Sequence, residues 1–255
     1  AAVNTVIGRV KGLYPDSSSA EFNSSAGRDV SAFTSNGFTV GEPEQASSTN
    51  NNGSNIVAWA WNGGEAPNIT YRVVVSNAGG SGNKYRFRNS ANDATFNADA
   101  VTLNLEEGGT YIFNMDDSTN ASHPFMIGTT ANDNTTAFGS GIVYKLDGVV
   151  KTFAQYHAGF AAATTRRLEF TIPASTNNLF YFCYSHSGMG GALNTNSTKG
   201  STNFDGIDST DTDVLAVVKA NTTAGFSVVT WTIPHSNDYH IGHGLGVKPD
   251  LIITK

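Results

Sequence analysis

The stretch YFCYSHSGMGG (181–191) spaces Cys183, His186 and Met189 three residues apart, and Cys183 is the single cysteine of the chain. Thiolate, imidazole and thioether make a soft donor set. In a trigonal copper site two imidazoles and a thiolate bind strongly, and a thioether sits weakly on the axis. The second imidazole comes from His123, in SHPF (122–125), sixty residues upstream. The expected metal ligands are therefore His123, Cys183, His186 and Met189, and the expected cofactor is copper. The same residues also admit a structural reading. A free cysteine packs as a small hydrophobe, so FYFCY is then a buried strand, and His186 and Met189 line a tight glycine turn.

Other groups are weaker. His240 and His243 are spaced for a shared metal, with His235 nearby, but only Asp238 is at hand to extend the set. Structural zinc sites use four ligands, so this segment reads as a strand and turn. His157 lies among Tyr, Phe and Ala and reads as a packed or exposed histidine rather than a base. Glu106–Glu107 and Asp116–Asp117 are adjacent pairs. Neighbouring side chains on an extended segment point apart, so they read as solvated loop charges. Neither a G-x-S-x-G elbow nor a phosphate-binding loop occurs. With no catalytic set, the chain is not expected to be an enzyme. Trp59 and Trp61 share one face of a strand by their i, i+2 spacing. That face is either core or a carbohydrate platform.

The elements that must position these residues are strands. Apolar residues nowhere hold helical spacing for three turns, while β-branched and aromatic runs recur between Gly, Asn and Asp clusters. Strands are expected at 37–41, 55–61, 70–76, 84–88, 100–105, 110–115, 141–146, 166–172, 179–184, 214–219, 226–233 and 250–255. A turn or two of helix is expected within TFAQYHAGFAAA (152–163). Many short strands with turn signals between them indicate an all-β sandwich or barrel.

Composition agrees. Only 14% of the 255 residues are charged, against the usual quarter. The net charge is −6 and 39% is apolar, which is not a disordered composition. Lys and Arg do not cluster, so nucleic acid is not an expected partner. No run of about 18 apolar residues offers a membrane span.

The block 67–192 resembles the cupredoxins. Cys183, His186 and Met189 match the short ligand loop of amicyanin-type members, and His123 lies at a distance within the family's range. The aromatic strand leading into Cys183 and the glycines after Met189 also fit. The resemblance implies a Greek-key sandwich with a type 1 copper site. One position departs. Typical blue copper proteins have an Asn after the upstream histidine, whose backbone N–H reaches the cysteine sulfur. Here Pro124 stands there and has no N–H to give.

The flanks resemble a β module of tail-fibre-like and other virion proteins of marine bacteriophages. GFSVVTWT and GHGLGVKPDLIITK (225–232 and 242–255) look like its start; FTSNGFTVG and NGSNIVAWAWNGG (33–41 and 52–64) look like its end. The expected division is 1–66, the end of one module; 67–192, the cupredoxin-like domain; and 193–255, a linker and the start of a second module. The first and last parts are expected to pair in cis or in trans, or the sequence is a window of a longer polypeptide. The resemblance implies a structural component of a phage particle or extracellular fibre. Its expected partners are further copies of itself or other virion proteins, with a host-surface glycan as a further one. A copper electron-transfer protein and a carbohydrate-binding adhesin are the alternatives.

Overall fold

The computed structural model describes residues 2–4, 8–13, 22–23, 30–34, 37–41, 65–197, 200–207, 214–232 and 239–254. The chain divides into two compact units, one of residues 1–62 with 247–255 and one of residues 63–246. In the first unit β1 (Ala2–Asn4), β2 (Gly8–Leu13) and β3 (Phe22–Asn23) form an antiparallel sheet. There β4 (Val30–Thr34) and β5 (Gly37–Val40) form a hairpin. The expected strand at 55–61 lies outside the described residues.

The larger unit is an all-β sandwich. Its strands are β6 (Asn68–Ser76), β7 (Lys84–Arg88), β8 (Thr95–Phe96), β9 (Leu103–Asn104), β10 (Thr110–Asn114), β11 (Phe125–Gly128), β12 (Ile142–Leu146), β13 (Val149–Lys151), β14 (Arg166–Thr171), β15 (Leu179–Cys183) and β16 (Gly191–Asn194). One sheet runs β13-β12-β14-β10-β6-β7-β8, and the other β11-β15-β16-β9. Alternation along the strands makes the core. Tyr71 and Val73 from β6, Tyr85 and Phe87 from β7, and Tyr111 and Phe113 from β10 point inward. They meet Phe125 from β11 and Tyr181 from β15. Phe113 stacks on Phe125 with centroids 4.7 Å apart, and Phe87 meets Tyr181 edge-on at 5.6 Å.

The expected helix forms as α1 (Phe153–Gly159). Thr152 and Gln155 close a capping box: Gln155 N–H donates to Thr152 Oγ1, and Thr152 N–H donates to Gln155 Oε1. This satisfies amide groups that a short helix otherwise leaves open.

A third sheet joins the same unit: β17 (Ser201–Asn203), β18 (Ala216–Asn221) and β19 (Phe226–Trp231). Phe204 stacks on Phe87 at 4.9 Å and meets Tyr71 edge-on at 5.6 Å. Tyr71 Oη donates to Thr202 O at 2.8 Å. The unit therefore runs on to residue 246, beyond the boundary expected at 192. The polar connector hides the apolar side chains that pack back onto the sandwich.

Two local expectations are corrected. Residues 251–254 form no strand, and Leu251, Ile252 and Ile253 are exposed. Their apolar run meets no sheet edge among the described residues. Glu106 is not a solvated loop charge: it is buried, and Lys219 Nζ donates to its Oε2 at 2.5 Å. Asp116 is also engaged, accepting from the Arg166 backbone N–H and from Arg167 Nη1.

Candidate metal centre

Strand register brings the distant histidine to the cysteine. In the antiparallel β11–β15 ladder Phe125 stands opposite Cys183. The start of β11 and the end of β15 therefore share one end of the sandwich. His123, two residues before Phe125, lands beside the thiol, and the Tyr184 N–H donates to Pro124 O at 2.8 Å to close that end.

The three donor atoms converge. His123 Nδ1 and His186 Nδ1 are 3.1 Å apart. Cys183 Sγ lies 3.9 Å from His123 Nδ1 and 3.6 Å from His186 Nδ1. One point in the plane of these atoms is about 2.1 Å from all three, a metal–nitrogen bond length and within about 0.2 Å of a metal–sulfur one. The cluster can hold a metal ion, and it is the group of this kind found among the described residues. Its donor chemistry fits a borderline or soft cation.

The fourth expected ligand, Met189, is buried in the same core, and its carbonyl accepts from the Tyr85 N–H at 2.8 Å. The loop that carries His186 and Met189 is clamped from outside. Gly188 N–H donates to Asn132 Oδ1 at 2.8 Å, Lys84 Nζ donates to Gly188 O at 2.5 Å, and Asn134 Nδ2 donates to Tyr184 O at 3.2 Å. At Gly190 a Cβ would lie 1.7 Å from the Tyr181 carbonyl oxygen, so the close approach of loop to strand needs glycine there. A site held this way before metal arrives loses little freedom on binding.

Burial and charge set the protonation states. Burial lowers the His123 pKa, and His186 beside it lowers it further. Burial raises the Cys183 thiol, opposed by the backbone N–H groups of Ser185 and His186 and by the Tyr85 side chain. The imidazole is thus kept neutral and able to ligate, and metal binding must expel the thiol proton. His123 is buried while His186 is exposed. The His123 Nε2 faces the Asn83 side-chain amide at 3.3 Å.

Asn83, Lys84, Tyr85 and Asn132 are not legible in the sequence as neighbours of the site. KYRFR reads as a strand, and nothing in its residue types announces that its first two residues reach the ligand loop. Trp59, Trp61 and His235 lie outside the described residues. His240 is exposed, and His243 Nδ1 accepts from Leu245 N–H at 3.2 Å in a turn. His157 Nδ1–H donates to Phe153 O at 2.9 Å, and its ring stacks on Tyr184 with centroids 4.0 Å apart.

A family model described as a domain of unknown function (DUF7483) matches residues 1–82 and 159–255, more than half of the chain. The chain belongs to the DUF7483 family. No curated protein matches it. Within this DUF7483 chain the matched segments carry Cys183, His186 and Met189. His123, Asn83 and Tyr85 lie in the intervening residues 83–158. The donor cluster thus combines Cys183 and His186 from a family-matched segment with His123, which lies outside the match.

Proposed function

We propose that the sandwich of this DUF7483 chain is a cupredoxin-like copper-binding domain. His123, Cys183 and His186 are its equatorial ligands and Met189 its axial one. The observation that carries this reading is the triangle of His123 Nδ1, His186 Nδ1 and Cys183 Sγ, with sides of 3.1, 3.6 and 3.9 Å. Two imidazoles and a thiolate in that arrangement suit copper in both oxidation states, and a rigid β scaffold limits rearrangement between them. Bound copper would supply one-electron exchange. The protein side holds the donors in place, keeps His123 from water and leaves the exposed His186 as the contact with the outside.

The test is addition of Cu(II) to the purified protein. The expected result is one equivalent of bound copper with strong thiolate-to-copper absorption in the visible, lost in Cys183→Ala and in His123→Ala. A colourless protein that retains no copper after gel filtration overturns the reading.

For the whole chain we propose a structural role in a phage particle or extracellular fibre, with the sandwich carried inside it. The exposed apolar run of Val247, Leu251, Ile252 and Ile253, 67–80% accessible, favours association with further copies. Sedimentation velocity tests this: the expected result is larger species with rising concentration, abolished by Ile252→Lys. A single monomeric species at all concentrations overturns it.

A further inference from the structure

The metal cluster lies at one end of the sandwich, and a cavity opens at the other. β6 runs between them. Asn68 at its start lines the cavity, and Ser76 at its end pairs with Lys84, which clamps the ligand loop. The cavity has a volume of about 350 Å³, the size of a small-molecule site. Pro67, Ile69 and Tyr71 line it from the main sandwich. Phe204, just after β17, and Val218 and Ala220 of β18 line it from the third sheet. None of these residues takes part in the metal centre.

The polar groups of the lining have a definite balance. Glu106 is buried, and Lys219 Nζ neutralises it through Oε2 at 2.5 Å. Asp205 Oδ1 accepts from the Ser90 N–H at 3.0 Å and from Ser90 Oγ at 2.5 Å. Arg88 is the basic residue of the lining, and its guanidinium is engaged by Asp117 and Asn92, each at 3.4 Å. Asn203 is buried; its Oδ1 accepts from the Asp205 N–H at 2.8 Å, and its amide nitrogen remains as a donor. Glu106 and Asp205 each keep a second carboxylate oxygen, and Glu65 adds an exposed carboxylate.

This balance selects the ligand. Acceptors dominate, so the ligand must bring donors. An anion meets three carboxylates against one guanidinium that is already engaged, and is repelled. An ammonium ion needs a buried carboxylate without a counter-charge, and Glu106 already carries Lys219. A neutral polyol fits: its hydroxyls donate to the carboxylate oxygens and accept from Asn203, while its C–H face lies on apolar side chains. We propose that this cavity binds a neutral saccharide unit. The site uses none of the metal ligands and stands whether or not copper binds.

The test is titration of the isotope-labelled full chain with glucose, galactose, mannose, fucose, N-acetylglucosamine and N-acetylgalactosamine in turn, followed by amide NMR shifts. The expected result is saturable shifts with at least one of these sugars, centred on residues 65–71, 88–90, 201–205 and 218–222. N-acetylneuraminic acid and tetramethylammonium, the anionic and cationic probes, are expected to leave those signals unmoved. Asp205→Asn keeps one oxygen for Ser90 and turns the other acceptor into a donor. It is expected to weaken the sugar by about 10-fold or more. Ala220→Leu fills the cavity and is expected to abolish the shifts. The wild-type shift map decides by itself where a variant fails to fold. No shift with any of these sugars overturns the proposal. So do shifts that map elsewhere, wild-type affinity in a folded Asp205→Asn, and tighter binding of either charged probe.

Discussion

His123 Nδ1 and His186 Nδ1 face each other at 3.1 Å, yet one ring is buried and the other open to solvent. Burial lowers the His123 pKa, and the facing His186 ring lowers it further, so the His123 imidazole is available as a donor on the side that His186 faces.

The difference in exposure predicts different outcomes for the two histidines. His186→Gly opens a cavity that solvent reaches directly, so added imidazole is expected to enter and restore the copper absorption. His123→Gly opens a cavity behind Pro124 and Phe125, and the same imidazole concentration is expected to restore much less. Titration of each variant with imidazole in the presence of Cu(II) measures this, and equal rescue of both contradicts it.

Asn83 is expected to fix the His123 tautomer. For Nδ1 to ligate, the proton must sit on Nε2, so the Asn83 amide must turn its oxygen toward it across the 3.3 Å contact. Asn83→Leu removes the acceptor and is expected to weaken copper binding by roughly 10-fold or more. Asn83→Asp keeps an acceptor and is expected to bind within a few-fold of wild type. Competition with a copper chelator measures both, and the order Asp tighter than Leu is the required result.

Phe204 tests where the larger unit ends. Its ring packs on Phe87 and Tyr71 in the main core. Phe204→Ala is expected to cost about 3–5 kcal/mol, the range for a deleted buried phenylalanine. Chemical denaturation followed by tyrosine fluorescence measures the loss. A chain cut at residue 192 is expected to lose at least as much, and an unchanged midpoint in either case contradicts this packing.

The same phenylalanine marks what was legible in the sequence. TYRVVVS, TYIFNM and LFYFCY are legible as β6, β10 and β15 because they are runs of β-branched and aromatic residues, and the donor types at 123, 183 and 186 announce the cluster. The β11 strand FMIG was not legible, since all four residues are buried and no alternation remains. Phe204 was hidden in a run of Asn, Ser, Thr and Asp, where a single aromatic residue carries no periodicity. Tyr85 read as an ordinary inward strand residue. Its hydroxyl meets the His123 carbonyl across the sandwich, and that is a matter of packing between sheets rather than of local pattern.

Acid is expected to destabilise the metal-free sandwich through His157. Its Nδ1–H is committed to Phe153 O, its Nε2 is buried without a partner, and burial lowers its pKa from 6.5 to about 4. The unfolded chain titrates near 6.5, so below that pH the unfolded state takes up the proton first. The group's contribution to stability is then complete above about 6.5 and is lost as the pH falls toward about 4. Below that the folded state is protonated too, and this histidine adds no further loss. His123, also held low by burial and by His186, acts in the same direction. His157→Phe retains a flat ring against Tyr184 and removes the titration. Thermal midpoints of the two metal-free proteins between pH 7.5 and pH 4 are expected to diverge, with the wild type falling more steeply. Carboxylates common to both proteins cancel in the comparison, so parallel curves would mean that His157 is protonated as readily in the folded chain as in the unfolded one.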